Sequence, residues 1–316
     1  MKLHQLTSFV AIVDAGGIRG AARLLGVSPA AVTHNLRQLE EDLGMPLVAR
    51  TPTGVALTDG GRTLLVHARL MVSQMTRARE AMDAMRGNIA GKLTVAITPW
   101  VAMTFLPDVV IRFAERMPNV QLEFFEGLLS IANPRLREGS LDLYIGRPTP
   151  GAVETDLEHR PLFASTCAVV GRADHPRADA RSLAELDGVG WILTRDPAAD
   201  GSLSDNMFAR HDLPLPRRIY LTHSFSLAIP LLQKTDMVSV FPWPLVEATA
   251  AREKLCALPL RESLEEALVS VISRSDRPPG PAAECFLDCL IETIRTALSS
   301  ASPHARNVLQ SVDLLI

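Results

Sequence analysis

The sequence contains few cysteines, and their spacing suits neither a disulfide scaffold nor a metal site. Only four cysteines occur in 316 residues, and no Cys-x-x-Cys pair is present. In a cytoplasmic chain such cysteines are not expected to form disulfides. Cys285 and Cys289 stand four residues apart on a predicted helix. They could share a metal or respond to oxidation, but simple helix packing is the interpretation we prefer, and we predict no metal and no cofactor.

Long hydrophobic runs are also missing. No stretch of eighteen apolar residues occurs, so no membrane-spanning helix is expected. The N-terminus has one lysine followed by a polar-interrupted amphipathic segment rather than a secretory signal. We therefore expect a cytoplasmic protein with no membrane partner. A chain of 316 residues that is 47% hydrophobic has room for two or three folded units.

Recognisable catalytic motifs are absent as well. The sequence has no nucleophile-elbow pattern, no P-loop, no Gly-x-Gly-x-x-Gly turn and no metal-spaced histidine cluster. The isolated candidates are His223 beside Ser224, and His159 near Asp156 and Glu158. Neighbouring residues of an extended segment point to opposite faces, so His223 and Ser224 make a poor catalytic pair. The chain is therefore predicted not to be an enzyme, an expectation that turnover of a bound metabolite would overturn.

Two short helical patterns meet at a tight turn between residues 17 and 43. The first helix is predicted to run from Ile18 to Leu25, and Gly26 suits the left-handed conformation that ends a helix. Ser28 is placed to cap the second helix, and Pro29 suits its first position. The apolar positions at helical spacing are Ala21, Ala22, Leu24 and Leu25 in the first helix, and Val32, Leu36, Leu39 and Leu43 in the second.

The opposite face of the second helix is small and polar. It carries Ala30, Thr33, His34 and Arg37, which suit entry into a DNA major groove. Residues 50–57 then alternate around Gly54 as a small β-ribbon. This layout is typical of a winged helix-turn-helix. The alternative is an ordinary helical hairpin that packs a core.

A heptad pattern follows the ribbon. Its apolar positions, spaced alternately four and three residues apart, are Leu64, Ala68, Met71, Met75, Ala78, Met82 and Met85. Two such helices would pair along this seam; the alternative is one amphipathic helix lying on its own domain. Gly87 and Gly91 flank the expected hinge.

Strands and helices alternate beyond residue 91. A strand-helix-strand-helix-strand order over residues 92–145 predicts parallel pairing with helices on the sheet faces. A second α/β unit is expected from about Phe163, and residues 267–273 are expected to return as a strand to the first unit. The predicted result is a hinged, two-lobed domain. The tail is expected to attach loosely, with a short amphipathic helix near Arg306–Leu315.

Taken together, these patterns resemble the LysR-type transcriptional regulators over nearly the whole chain. The matching residues are Leu6, Phe9, Ala21 to Leu25, Ser28, Ala31 to Thr33, Leu36, Leu39, Glu40, Leu43, Gly44, Pro46, Leu47, Arg50, Gly54, Leu57, Thr58 and Gly61. The sequence departs from the family at Pro29-Ala30, where Gln-Pro is usual, and at the wing tip Pro52-Thr53, which is usually basic.

The resemblance implies a multidomain α+β fold. The N-terminal winged helix-turn-helix would span residues 1–60, the dimerisation linker helix 61–87 and the hinge 88–91. Residues 92–300 would form a two-lobed α/β effector domain similar to periplasmic binding proteins. Lobe I would take about 92–162 and 268–300, lobe II about 163–267, and residues 301–316 would form a C-terminal tail.

The function implied is sequence-specific DNA binding controlled by a small-molecule effector, expected to be an organic anion. The DNA-binding candidates are Arg19, Ser28, Pro29, Ala30, Thr33, His34, Arg37, Arg50 and Thr53. The effector-binding candidates are Thr98, Trp100, Leu128, Leu129, Arg147, Ser202, Ser224, Phe225 and Phe241. Plain helix capping by Thr98 and Ser224, lobe packing by Trp100, and a solvated strand end at Arg147 are the structural alternatives.

The expected partners are operator DNA, the effector, other copies of the chain and RNA polymerase. The copies are expected to form a dimer and then a tetramer. The overall charge is −3, yet residues 1–62 carry six Lys/Arg against five acids, and residues 63–87 carry four against two. This weak positive field favours binding by at least a dimer. The competing functional interpretations are a solute-binding protein for transport and an architectural DNA-binding protein without a ligand.

Overall fold

The computed structural model describes residues 1–51, 54–86, 90–148, 156–194, 203–222, 224–276, 279–299 and 312–315. These form two compact units. Unit 1 comprises Met1–Ala90 and Arg135–Leu141, and unit 2 comprises Gly91–Pro134 and Asp142–Ile316. Among the described residues, no helix is both long and apolar enough to span a bilayer.

Unit 1 begins with three helices, α1 (Leu3–Asp14), α2 (Ile18–Leu25) and α3 (Pro29–Leu43). The antiparallel ribbon β1 (Val48–Thr51) and β2 (Gly54–Leu57) follows, and then the long helix α4 (Asp59–Met85). The predicted caps are present. The Ala31 N–H donates to the Ser28 hydroxyl at 3.2 Å, and Gly26 is left-handed with φ of 66°. The helix-turn-helix prediction is therefore confirmed at the level of local structure.

The core of unit 1 is largely the one that periodicity predicts. Val32, Leu36 and Leu39 of α3 are buried against Phe9 of α1, while Leu43 is half-buried. The prediction for Leu24 is wrong, because its side chain is 66% exposed. A helix of only eight residues has a narrow inward face, and Ala21, Ala22 and Leu25 occupy it.

Arg69 of α4 ties three segments of unit 1 together. Its guanidinium pairs with Asp14 at 2.6 Å and also with Glu138. The Ser73 hydroxyl donates to the Gly139 carbonyl oxygen at 2.9 Å. Residues 135–141 thereby belong with the N-terminal residues, although the sequence places them inside the effector domain.

Unit 2 contains a six-stranded sheet in the order β13-β6-β12-β5-β3-β4. Its strands are β3 (Gly91–Ile97), β4 (Val120–Glu126), β5 (Leu143–Gly146), β6 (Leu157–Ser165), β12 (Ala267–Arg274) and β13 (Val312–Leu314). As predicted, β3 pairs in parallel with β4 and β5. The associated helices are α5 (Pro99–Thr104), α6 (Leu106–Arg116), α7 (Leu129–Arg137) and α11 (Pro281–Ser299).

A five-stranded sheet in the order β11-β7-β10-β8-β9 completes unit 2. Its strands are β7 (Cys167–Arg172), β8 (Gly190–Thr194), β9 (Ile219–Thr222), β10 (Met237–Pro242) and β11 (Leu255–Ala257). A short 3₁₀ helix (Leu183–Leu186) and helices α8 (Leu203–Arg210), α9 (Phe225–Lys234) and α10 (Trp243–Glu253) accompany it. One hydrophobic cluster includes buried residues from both sheets, among them Phe163 and Phe241.

Three details of unit 2 differ from expectation. The single helix expected over about residues 101–117 is two helices, because Pro107 cannot continue the hydrogen-bond ladder of α5. Phe163 lies in β6 of the first sheet, so the chain changes sheet at Thr166 rather than at residue 163. Residues 312–314 form β13, paired to β6, so the predicted tail helix is wrong there; residues 301–311 lie outside the described residues. Of the hinge, only residues 90 and 91 are described.

Candidate nucleic-acid interface and effector cleft

One side of α3 faces outward and gathers most of the predicted DNA-binding residues. Burial of Val32, Leu36 and Leu39 fixes which side of the helix faces inward. The exposed residues are Ser28, Pro29, Ala30, Thr33, His34 and Arg37. The structure thus brings these six together on a single helix surface.

These side chains keep part of their hydrogen-bonding capacity for a partner. The Thr33 hydroxyl donates to the Pro29 carbonyl oxygen at 2.8 Å, so its oxygen can still accept. The Ser28 oxygen accepts the capping bond, so its O–H can still donate. Arg37 pairs with Glu41 at 2.8 Å, but both side chains are well exposed, at 78% and 61%. Such an exposed pair is weak and can yield to a stronger anion.

Polar contacts hold α3 in place against α1 and the ribbon. The Asn35 amide donates to the Ser8 hydroxyl at 2.9 Å. The Glu40 carboxylate accepts the Leu47 N–H at 2.8 Å and the Val48 N–H at 3.3 Å, which ties α3 to the start of the ribbon. The presented surface is therefore preorganised.

The remaining DNA-binding candidates lie on α2 and in the ribbon. Arg19 is exposed on α2. Arg23, which our sequence prediction omitted, is exposed one turn later, and its spacing of four residues from Arg19 is the signal that identifies it. Arg50 is opposite Val55 in the ribbon, but its side chain is outside the described structure, as is Thr53.

The seam of α4 is only partly covered by its own chain. Ala68 is fully buried in the core of unit 1. Farther along, four methionines of the heptad pattern are exposed: Met71 by 37%, Met75 by 43%, Met82 by 55% and Met85 by 82%. The helix therefore carries an exposed apolar stripe of methionines.

The C-terminal ends of the parallel strands place several effector candidates at one edge of the first sheet. Thr98 follows β3, Leu128 and Leu129 follow β4, and Arg147 follows β5. The pairing of Ile97 with both Glu126 and Ile145 shows that these strand ends are level. Ligands of open α/β sheets bind at such edges.

Two effector candidates, Thr98 and Trp100, are buried by contacts within the chain. The Thr98 N–H donates to the Ile145 carbonyl oxygen at 2.8 Å, and its side chain is almost fully buried at the start of α5. Trp100 is also buried and packs edge-to-face on Phe163, with ring centroids 5.7 Å apart. Packing explains the position of Trp100, and its effector role stays a prediction.

The other candidates that the structure describes lie in or beside the second sheet. Ser224 precedes α9, and its hydroxyl lies 2.6 Å from that of Ser226. Phe225 and Phe241 are buried and pack edge-to-face at 5.2 Å. Ser202 lies outside the described residues. The effector roles of these four also stay predictions.

Arg147 is a cation at the edge of the first sheet. Burial lowers the pKa of its guanidinium, and the nearby Glu265 carboxylate, at 3.9 Å, opposes that effect. The distance exceeds that of a hydrogen bond, so the two groups attract each other without a direct bond. Arg147 is therefore more than a solvated strand end.

All four cysteines are free thiols. On α11, Cys289 is buried and Cys285 half-buried, and burial together with the neighbouring Cys285 raises the pKa of Cys289 to about 11. No group of three or more His, Cys, Asp or Glu side chains within the described ranges could hold a metal ion. The arrangement favours packing for this pair.

Comparison with known families assigns both parts of this architecture. Residues 3–62 match the model of the bacterial regulatory helix-turn-helix proteins of the lysR family, and residues 86–295 match the LysR substrate binding domain. The chain belongs to the LysR family. It is a LysR-type transcriptional regulator with a DNA-binding and an effector-binding domain.

Individual relatives agree with this assignment. The transcriptional regulator GalR of Pseudomonas putida is 26% identical over 294 residues, which cover 93% of this chain and 74% of GalR. Among solved structures, a full-length cysteine-to-aspartate variant of OxyR from Pseudomonas aeruginosa has a TM-score of 0.71 at 22% identity, with 97% of each chain covered. Full-length CbnR in complex with its target DNA has a TM-score of 0.65 at 22% identity, covering 93% of this chain and all of CbnR. At these identities the structures establish the LysR-type fold.

Proposed function

We propose that this LysR-family regulator recognises a specific operator through α3 and that a small organic anion, bound at the strand ends of unit 2, controls it. The exposed surface of α3 carries the first half of the proposal. Its residues Thr33 and Arg37 can reach base edges or phosphates, while buried Val32 and Leu36 hold the helix rigid beneath them. The structure of CbnR in complex with its target DNA supports the same role here.

Two copies of the chain would supply two recognition helices. The exposed methionine stripe of α4 provides the pairing surface, because burying it removes apolar area from water. Two α3 helices about 34 Å apart would then enter successive major grooves of one duplex. A pair of such dimers would form the tetramer, and bending the operator between them would add sequence dependence.

The effector half of the proposal depends on Arg147. The residue, whose guanidinium is partly buried, follows β5 at the strand-end edge, and Thr98 and α5 follow the neighbouring strand β3. A carboxylate could pair with Arg147, and the half-buried Leu128 at the same sheet edge would contact the organic body. Such a ligand would control DNA binding only through unequal affinity for two states of the protein.

We further propose that the protein is not an enzyme, that it acts in the cytoplasm, and that it contacts RNA polymerase at its promoters. The relatives support the first point, since they are transcriptional regulators. The alternative of a ligand-free architectural protein predicts that no small acid binds.

Three measurements test the proposal. Selection from a library of randomised duplexes by the full chain should enrich two half-sites separated by about one helical turn. The enriched duplex should bind more tightly than a scrambled one in fluorescence anisotropy at fixed salt. In a thermal-shift screen of small aromatic and aliphatic acids, at least one acid should raise the Tm of the protein. The variant Arg147→Gln should no longer show that increase in Tm. No enrichment would reject operator recognition, and a shift retained in R147Q would reject the anion site.

A further inference from the structure

A cavity of about 340 Å³ lies beside β7 and β11 in unit 2. Its walls include Cys167, Val169, Trp243, Leu258, Glu262 and Leu264. None of the eight effector candidates within the described residues lines it, although Trp243 directly follows the strand that carries Phe241. The volume falls at the small end of the range for ligand pockets.

Among the described residues of the wall, Glu262 is the one carboxylate. One of its oxygens, Oε1, accepts the Leu183 N–H at 2.8 Å, which fixes the side chain in place. The other, Oε2, is buried and has no hydrogen-bond partner among the described residues. A buried oxygen of this kind is unfavourable until a donor reaches it.

The other wall residues that the structure describes are uncharged. It consists of aliphatic residues, the Trp243 ring and the Cys167 thiol. Burial raises the pKa of Cys167 to about 12, so this thiol stays protonated at neutral pH and adds no charge. The described wall therefore combines one carboxylate with a mostly apolar surface, and Cys167 lies within electrostatic range of Arg147, Glu265 and Glu266 outside it.

This combination selects the chemistry of a ligand. A carboxylate ligand would meet the Glu262 charge and be repelled, whereas an ammonium group would pair with the Glu262 carboxylate. We propose that the cavity is a second ligand site, which takes a small primary amine with a compact aromatic or cyclic aliphatic body. The class of ligand is opposite in charge to the one proposed for the strand-end cleft.

The cavity lies beside both connections between the two sheets. Cys167 follows directly after the passage of the chain from β6 to β7, and Leu264 lies in the segment that returns from β11 to β12. The Trp243 N–H donates to the carbonyl oxygen of Thr166, in the first of these passages, at 2.9 Å. An amine in the cavity would thus contact both connections.

Calorimetric titration of the full chain with benzylamine, cyclohexylamine and benzyl alcohol tests the proposal. Both amines should bind, and benzyl alcohol, which has the ring without the charge, should bind at least tenfold more weakly than benzylamine. Glu262→Gln should weaken amine binding at least tenfold. Glu266→Gln is the matched control, because it removes an exposed carboxylate four residues away and should leave amine binding unchanged.

A second variant separates loss of the site from loss of folding. Leu264→Trp should fill the cavity and block both amines while the carboxylate remains. Circular dichroism and the Tm without ligand should show that both variants are folded. Failure of both amines to bind, or binding that survives both E262Q and L264W, would overturn the proposal. Because the titrations contain no DNA, their outcome is independent of operator recognition.

Discussion

Replacing Arg37 by alanine should weaken operator binding by about 1–3 kcal/mol for each half-site contacted, which is roughly 5- to 150-fold. In the structure, Arg37 is held by Glu41 through an exposed ion pair of 2.8 Å. A pair of this kind between residues one helical turn apart contributes only about 0.3–0.5 kcal/mol. It is therefore favourable for Arg37 to leave Glu41 and bind a phosphate or a guanine edge. Loss of the Glu41 pair in R37A changes the expected loss of DNA-binding free energy only slightly.

The companion variant Glu41→Gln tests the same reasoning from the other side. It releases Arg37 and removes a negative charge from the surface that faces the duplex, so affinity should rise by up to about twofold. The control is Arg217→Ala, which removes an exposed arginine from unit 2 and should leave DNA binding unchanged.

Fluorescence anisotropy with the selected and the scrambled duplex, at several salt concentrations, measures these effects. If Arg37 contacts a phosphate, R37A should lower the slope of log K against log salt by about 1 for each contact. If Arg37 contacts a base, the slope should hold and the preference for the selected duplex should fall. Unchanged affinity of R37A for both duplexes would refute the assignment of this face to DNA.

Three further predictions concern assembly, stability and thiol chemistry. Met75→Glu places charge on the exposed seam of α4 and should dissociate the dimer in analytical ultracentrifugation, whereas Gln74→Glu beside it should not; a dimer that survives M75E would rule out this seam. Ser28→Ala should lower the free energy of unfolding by about 1 kcal/mol in urea titrations, while Ser28→Asp should restore it, since both Ser and Asp cap helices. Burial raises the pKa of Cys167 from 9.0 to about 12, so iodoacetamide at pH 8 should label Cys167 about a thousandfold more slowly in the native than in the unfolded chain. The thiol ionises at lower pH in the unfolded chain than in the native protein, so the contribution of Cys167 to the free energy of unfolding is complete below pH 9 and declines as the pH rises toward 12. Equal labelling rates in the native and unfolded states would contradict the burial of this thiol.

The helices of unit 1 could be predicted because their signals are local. The Ser28 cap, the Gly26 stop and the stripe Val32-Leu36-Leu39 each depend on residues within one or two helical turns. The α4 heptads are local in the same sense. Short-range geometry of the backbone decides these features, so the chain order alone reveals them.

The sheets could be predicted only in part. The parallel core β4-β3-β5 followed from alternating elements. We did not predict β6, β8 or β11 as strands, and Phe163 was placed in the wrong sheet. The strand β6 pairs with β12, about a hundred residues farther along the chain, and with β13 beyond it, and no local pattern specifies such pairings.

The candidate sites divide in the same way. The surface of α3 was readable because a buried stripe on a helix dictates what its other side exposes. The setting of Arg147 beside Glu265, the packing of Trp100 on Phe163, and the cavity around Glu262 depend on residues distant in sequence. By itself the sequence determined the elements, their caps and the family resemblance, since these follow from neighbouring residues. Only the tertiary structure decided which polar groups are buried and which aromatic rings belong to the core, because burial is a property of contacts between remote parts of the chain.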